Sequence, residues 1–185
     1  MCGFYNHPSK PCSCAPGSIQ KYLNKVSGPL LDRIDLHVEV TPVDFNELSS
    51  TKKTESSAFI RERVIKAREI QAERYKGHTG LYANAQISAG MLKEVCTIDK
   101  VGENLLKAAM NKLSLSARAY DRILKVGRTI ADLDGSAAIR AEHLAEAIQY
   151  RSLDKEQWSV PPKTQKNKSE IKSLHNYPFT FGRAK

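Results

Sequence analysis

The sequence predicts a mainly α-helical protein: a helical bundle over residues 58–152, preceded by a loop, a short helix and one strand. Three observations carry that reading. Apolar residues recur at spacings of three and four through 58–152, Ser or Asp stands where most of those runs begin, and Leu36-His37-Val38-Glu39-Val40 alternates with period two.

In chain order, Cys2, Cys12 and Cys14 fall in a loop punctuated by Pro8, Pro11, Pro16 and Gly17, and Ile19-Gln20-Lys21-Tyr22-Leu23 reads as a short helix. After Ser27-Gly28-Pro29-Leu30-Leu31-Asp32-Arg33-Ile34-Asp35, the run 36–40 reads as a half-buried strand ended by Pro42. Residues 43–57 turn polar, with Ser49-Ser50-Thr51-Lys52-Lys53-Thr54 as a linker. Ser56 or Ser57 caps a helix to about residue 76, with Ile60, Val64 and Ala67 inward, flanked by Phe59 and Ile70; His78-Thr79-Gly80 breaks it. A short helix follows Ser88, and 99–113 forms another with Val101, Leu105, Ala108 and Ala109 inward. Ser116 caps a longer helix whose face carries Tyr120, Ile123, Leu124, Gly127, Ile130 and Ala131, stopped by Asp134-Gly135-Ser136. The last helix, 140–151, places Leu144, Ala147 and Ile148 on one side. The organisation is therefore 1–42, a linker 43–57, a helical domain 58–152 and a basic tail 153–185, expected to be disordered apart from the patch Tyr177-Pro178-Phe179-Thr180-Phe181.

The 185 residues carry 29 Lys+Arg against 20 Asp+Glu, a net charge of +9. Seven basic and three acidic residues of 153–185 supply +4 of it, so the remaining +5 is spread over the body. That balance is compatible with phosphate or nucleic-acid contact, yet no aromatic-interleaved stripe accompanies it. No stretch approaches the roughly 20 apolar residues of a membrane-spanning helix, and the first residues lack the basic start and apolar core of a secretory signal; a soluble, cytoplasmic protein without a membrane partner is expected. There is no Gly-x-x-x-x-Gly-Lys-Ser/Thr loop, no Gly-x-Ser-x-Gly and no His-Glu-x-x-His, so nucleotide hydrolysis by this chain alone is not expected.

Three constellations can carry chemistry. Cys12-x-Cys14 with Cys2 and His7 could supply a tetrahedral zinc set, against a turn-rich loop of reduced thiols in a reducing compartment; the spacing is not that of a standard zinc finger. Arg33, at the end of a loop before a strand, can present its guanidinium to a phosphate outside its own subunit, or it is a surface arginine paired with Asp32 or Asp35. Arg118, in the first turn of the helix capped by Ser116, adds a forked donor to an anion-favouring helix end, with Arg122 and Arg128 as rivals and an ordinary exposed arginine as the alternative.

Three ordered motifs, Cys2-Gly3-Phe4-Tyr5-Asn6 through Cys12-x-Cys14, then Ser27-Gly28-Pro29-Leu30-Leu31-Asp32-Arg33-Ile34-Asp35, then Leu115-Ser116-Ala117-Arg118-Ala119-Tyr120-Asp121-Arg122-Ile123, resemble the C-terminal part of the magnesium-chelatase-related AAA+ ATPases of the ComM/YifB type. The resemblance covers about residues 2–151. It implies a helical AAA+ lid bundle preceded by a remnant of the α/β ATPase core, and a parent that works as a ring with ATP and Mg2+ between subunits and acts on DNA. It implies that Arg33 resembles the arginine finger acting in trans and that Arg118 resembles the second sensor on the ATP phosphates. The phosphate loop, the acidic metal-binding motif and the first sensor of the family are not here. The chain opens Met1-Cys2-Gly3 where the family has Asn-Pro-Cys-Pro-Cys-Gly, which implies a fragment lacking a fourth cysteine of any zinc site. Metal insertion into a porphyrin follows from the family name alone. The alternative is a stand-alone basic helical nucleic-acid-binding module.

Overall fold

A computed structural model describes residues 1–5, 7, 9–38, 40, 42–43, 48–49 and 54–151 of the chain. The centre of the expected linker, 50–53, and the tail 153–185 lie outside those residues. Among the described residues seven helices are formed: α1 (Pro16–Leu23), the single turn α2 (Gly28–Leu31), α3 (Ser57–Arg74), α4 (Ala89–Val95), α5 (Lys100–Lys112), α6 (Ala117–Leu133) and α7 (Ala141–Gln149), with a 3₁₀ turn at Asn84–Gln86. The helix starts are chemically marked. Ser56, Ser88, Asp99 and Ser116 each accept the backbone N–H three residues on, satisfying a donor that has no partner inside the helix. Gly77, Gly80 and Gly135 take positive φ at the turns that follow α3 and α6.

Helix α6 is the centre of the bundle, against which α3, α4, α7 and the 3₁₀ turn all pack, while α5 packs on α7. Ile123, Leu124 and Ala131 of α6 meet Leu106, Ile139, Leu144 and Ala147 in one core with Tyr75, Ile87, Leu92 and Cys96. A parallel bridge joins Ile98 to Ile139.

Three sequence expectations are corrected. On α5 the inward face is turned by one residue: Gly102 and Leu106 are buried, whereas Val101 and Ala108 are exposed. The reason is helix approach. A Cβ on Gly102 would lie 2.8 Å from Leu144 Cδ1 and 3.1 Å from Asp99 Oδ1, so the buried position is the one that lacks a side chain. Gly127 does the same on the other side, where a Cβ would stand 3.3 Å from Leu144 Cδ2. Leu144 is thus wedged between two glycines. Replacing Gly102 by alanine is expected to lower stability by about 1 kcal/mol net, an overpacking cost of about 1–3 kcal/mol outweighing the roughly 1 kcal/mol alanine gains in a helix interior. The urea midpoint reads this; an unchanged or raised midpoint would mean that Leu144 swings aside at little cost.

The second correction concerns the strand. Among the described residues, 36–38 and 40 form no strand, and their alternation has the opposite phase: Leu36 and Val38 are 48% and 64% exposed, while His37 between them is 8% exposed. A strand exists only through a paired neighbour. Here the backbone of His37 instead donates to Tyr150 O at 2.8 Å, at the end of α7. The inward face expected for α3 is also only half used: Ala67 and Gln71 are buried, but Phe59, Ile60 and Val64 stay exposed.

Candidate functional site

The segment 27–35 folds as one helical turn, with the N–H groups of Asp32, Arg33 and Ile34 bonded back to Gly28, Leu30 and Leu31 at 2.9–3.0 Å. Leu31 is buried and anchors it. The polar residues around Arg33 are then taken up one by one by the helical bundle. Arg122 of α6 pairs with Asp35. Arg151, 1% exposed, donates to Ile34 O and lies 4.0 Å from Asp32 Oδ1. Both flanking carboxylates, Asp32 and Asp35, therefore face other arginines. Arg33 itself is exposed and its side chain has no hydrogen-bond or ion-pair partner among the described residues.

Arg118 stands in the first turn of α6, directly after the Ser116 cap, exposed and likewise without a side-chain partner among the described residues. Its two rivals are accounted for. Arg122 is the Asp35 partner just described, and Arg128 is buried, donating through Nε to Asp132 Oδ1 at 3.1 Å and through its two Nη atoms to Ala137 O at 2.9 Å and Ser136 O at 2.6 Å. Such an arginine closes the turn after α6 and is out of reach of any ligand.

Asp132 was not singled out by the sequence, yet it is the most heavily bonded side chain of the bundle. It accepts from Arg74 at 2.5 and 2.8 Å, from Asn84 at 2.8 Å, from Gln71 at 3.2 Å and from Arg128. Burial alone would raise its pKa; the hydrogen bonds from Arg74 and Asn84, with the charges of Arg74 and Arg128, outweigh that and hold it below the ordinary carboxylate value. Asp132 and Arg151 share the reason for being missed, since a charged residue in a helix reads as surface unless its partners are known. The one available signal was the position of Asp132 four residues after Arg128 on the apolar face.

The cysteine loop is drawn together as the spacing allowed. Cys2, Cys12 and Cys14 have their sulfur atoms within 4.8 Å of one another, with Cys2 Sγ and Cys12 Sγ 3.4 Å apart. The Cys2 N–H donates to Cys14 Sγ at 3.1 Å and the Phe4 N–H to Cys2 Sγ at 3.4 Å. The Phe4 N–H, and then the bonds with Cys12 and Cys14, lower the Cys2 pKa to about 6. Cys12 goes the other way: the Cys14 N–H favours its thiolate, but the bond to Cys2, partial burial and the neighbouring Cys14 outweigh it. His7 does not join the set. Its Nδ1 accepts from the N–H groups of Ser9 and Lys10 at 3.2 and 3.1 Å, and its ring meets Phe4 edge-on.

Two family models match the chain. Residues 1–48 match the family described as magnesium chelatase, subunit ChlI, and residues 54–151 match magnesium chelatase, subunit ChlI C-terminal. The chain belongs to the magnesium chelatase family. It is 46% identical over 140 residues to the competence protein ComM of Haemophilus influenzae, covering 75% of this chain and 26% of that protein. It is 39% identical over 143 residues to the uncharacterized protein YifB of Escherichia coli, covering 77% and 27%. The chain thus spans about a quarter of the length of the curated relatives it matches. Within this magnesium chelatase family chain, the segment carrying Arg33 belongs to the first match and Arg118 to the second, and Arg122 and Arg151 join the two. No helix among the described residues is long and apolar enough to cross a membrane.

Proposed function

We propose that this chain is the finger-and-lid portion of a ring-forming AAA+ ATPase of the ComM/YifB type, in which Arg33 reaches the ATP of a neighbouring subunit and Arg118 the phosphates of a bound nucleotide. The observation that carries it is the exposure of Arg33: each flanking aspartate faces a bundle arginine, leaving the Arg33 guanidinium without an ion-pair partner among the described residues, on a turn held at both ends. A planar fork so placed suits the equatorial oxygens of a phosphoryl group in transfer, where charge develops that water no longer screens. The helix end at Arg118 supports the second role, since its first-turn N–H groups and dipole favour an anion and arginine adds two parallel donors. ATP and its Mg2+ are held in this reading by the phosphate-loop portion of the assembly; this chain contributes the arginines and hydrolyses nothing alone. The net charge of +9 and kinship to a competence protein support DNA as the polymer that the whole assembly remodels during uptake or recombination.

Grafting residues 1–151 in place of the matching quarter of the Haemophilus relative tests this. The graft is expected to hydrolyse ATP, and Arg118→Ala to lower kcat about 100-fold, the cost of one oriented donor to a developing negative charge. Rates unchanged by both Arg33→Ala and Arg118→Ala would overturn the proposal, as would robust hydrolysis by the chain alone.

A further inference from the structure

The sulfur cluster of the first loop is independent of the nucleotide-facing arginines and unexplained by them. With metal–sulfur bonds of about 2.3 Å, two ligands of a tetrahedral zinc ion stand about 3.8 Å apart. Three sulfurs all within 4.8 Å of one another, one pair at 3.4 Å, already have the dimensions of one face of that tetrahedron. Among the described residues nothing else in the loop accounts for their convergence: all three are only partly buried, no disulfide joins them, and the described residues between Cys2 and Cys12 contribute none of the buried apolar side chains. The backbone is also turned to suit anionic sulfur, with N–H donors on Cys14 Sγ and Cys2 Sγ. The other group with ligand chemistry at close spacing among the described residues, Asp134 with Glu142 and His143, is different in kind, because Arg140 sits 2.5 and 2.7 Å from its two carboxylates and supplies the positive charge itself.

We infer that Cys2, Cys12 and Cys14 bind one soft divalent cation, zinc in the first instance, as a three-thiolate site whose fourth position is filled by water or an added ligand. Binding replaces three S–H protons by three metal–sulfur bonds, so up to three protons leave for each ion taken up, and no oxidant is consumed. His7 is not the fourth ligand while its Nδ1 accepts two backbone N–H bonds. Cys96 is not part of the site either: it is 3% exposed in the helical core, where burial pushes its thiol up to about 11. The role is structural. A clip between residues 2 and 14 closes the loop that leads into α1, in a stretch too small to hold itself by apolar burial.

The test uses the full chain, reduced and stripped of metal, titrated with Co2+ as the optical probe and then with Zn2+. One equivalent of Co2+ is expected to bring up sulfur-to-cobalt charge-transfer bands with the intense visible bands of tetrahedral cobalt, and one equivalent of Zn2+ to abolish them. Zinc is expected to protect Cys2, Cys12 and Cys14 from alkylation while Cys96 reacts only on unfolding. Cys12→Ser and Cys14→Ser should each weaken Co2+ binding by more than the roughly 10–100-fold that loss of an outer-shell partner costs. Far-ultraviolet circular dichroism should stay unchanged, because neither residue contributes to the helical core. Absence of the charge-transfer bands at one equivalent, equal cobalt affinity in the serine variants, or alkylation indifferent to zinc would each overturn the site.

Discussion

Rings mixed from Arg33→Ala subunits and subunits with a disabled phosphate loop, each carrying the grafted residues 1–151, should recover ATP hydrolysis that neither subunit shows alone. Arg33→Ala by itself is expected to lower kcat by about 10³-fold or more, the range measured where a finger arginine is withdrawn from a transferring phosphoryl group. ATP affinity should change little, because the nucleotide is held by the other side of the interface. Arg33→Lys should not rescue the rate, since a point charge cannot reproduce the two-pronged geometry of guanidinium. In an equal random mixture roughly a quarter of the head-to-tail interfaces pair an intact phosphate loop with an intact Arg33, and that fraction sets the recovered rate. No recovery on mixing, with rings formed normally, would place Arg33 on the nucleotide of its own subunit or on none.

Asp132→Ala should be the most damaging single substitution in the helical bundle, at about 3–5 kcal/mol, because it strands two arginines without their counter-charge. Arg128 is 3% exposed and Arg74 half-buried, so neither guanidinium can turn fully to water, and Gln71 and Asn84 lose an acceptor at the same time. Against the roughly 5–15 kcal/mol of a typical domain this is a large share, so the urea midpoint should fall sharply and melting lose cooperativity. Combining Asp132→Ala with Arg128→Leu should cost less than the sum of the two changes, because the second removes a charge that the first leaves unpaired. The pH dependence follows from the same group. Its folded pKa is depressed, so the stability it contributes is complete above the ordinary value of 3.8 and is lost as pH falls below that value toward the folded pKa. A flat urea midpoint from pH 7 to 5 with a decline below about 4 is expected, and Asp132→Asn should flatten that decline. A loss under 1 kcal/mol in Asp132→Ala would show that water replaces the carboxylate.

What could be read from the sequence and what could not divides along one physical line. The starts of α3, α4, α5 and α6 were legible because a cap is a local event, completed within four residues by Ser56, Ser88, Asp99 and Ser116. The strand expected at 36–40 failed because strand formation is not local, and among the described residues no neighbour pairs with it. The face of α5 was misassigned by one residue because hydrophobic patterning weighs Val101 heavily and Gly102 hardly at all, whereas close helix approach rewards the absence of a side chain. At the candidate site, Arg33 and Arg118 were both singled out, but whether Asp32 and Asp35 pair with Arg33 turned on Arg122 and Arg151, which lie 89 and 118 positions further along the chain. The gathering of Cys2, Cys12 and Cys14 was legible as a spacing; the exclusion of His7 depended on two backbone hydrogen bonds that no spacing reveals.

The attachment of the Arg33 turn to the bundle has a mechanical consequence. Asp35 is held from α6 by Arg122, only four residues beyond Arg118 on the same helix, while Ile34 and Asp32 are held from the far end of α7 by Arg151. The two exposed guanidiniums are therefore mounted on one lever with two bolts, and a tilt of α6 that withdraws Arg118 swings Arg33 as well. Loosening one bolt, as in Arg122→Ala, would leave each arginine chemically intact and let the two move out of step.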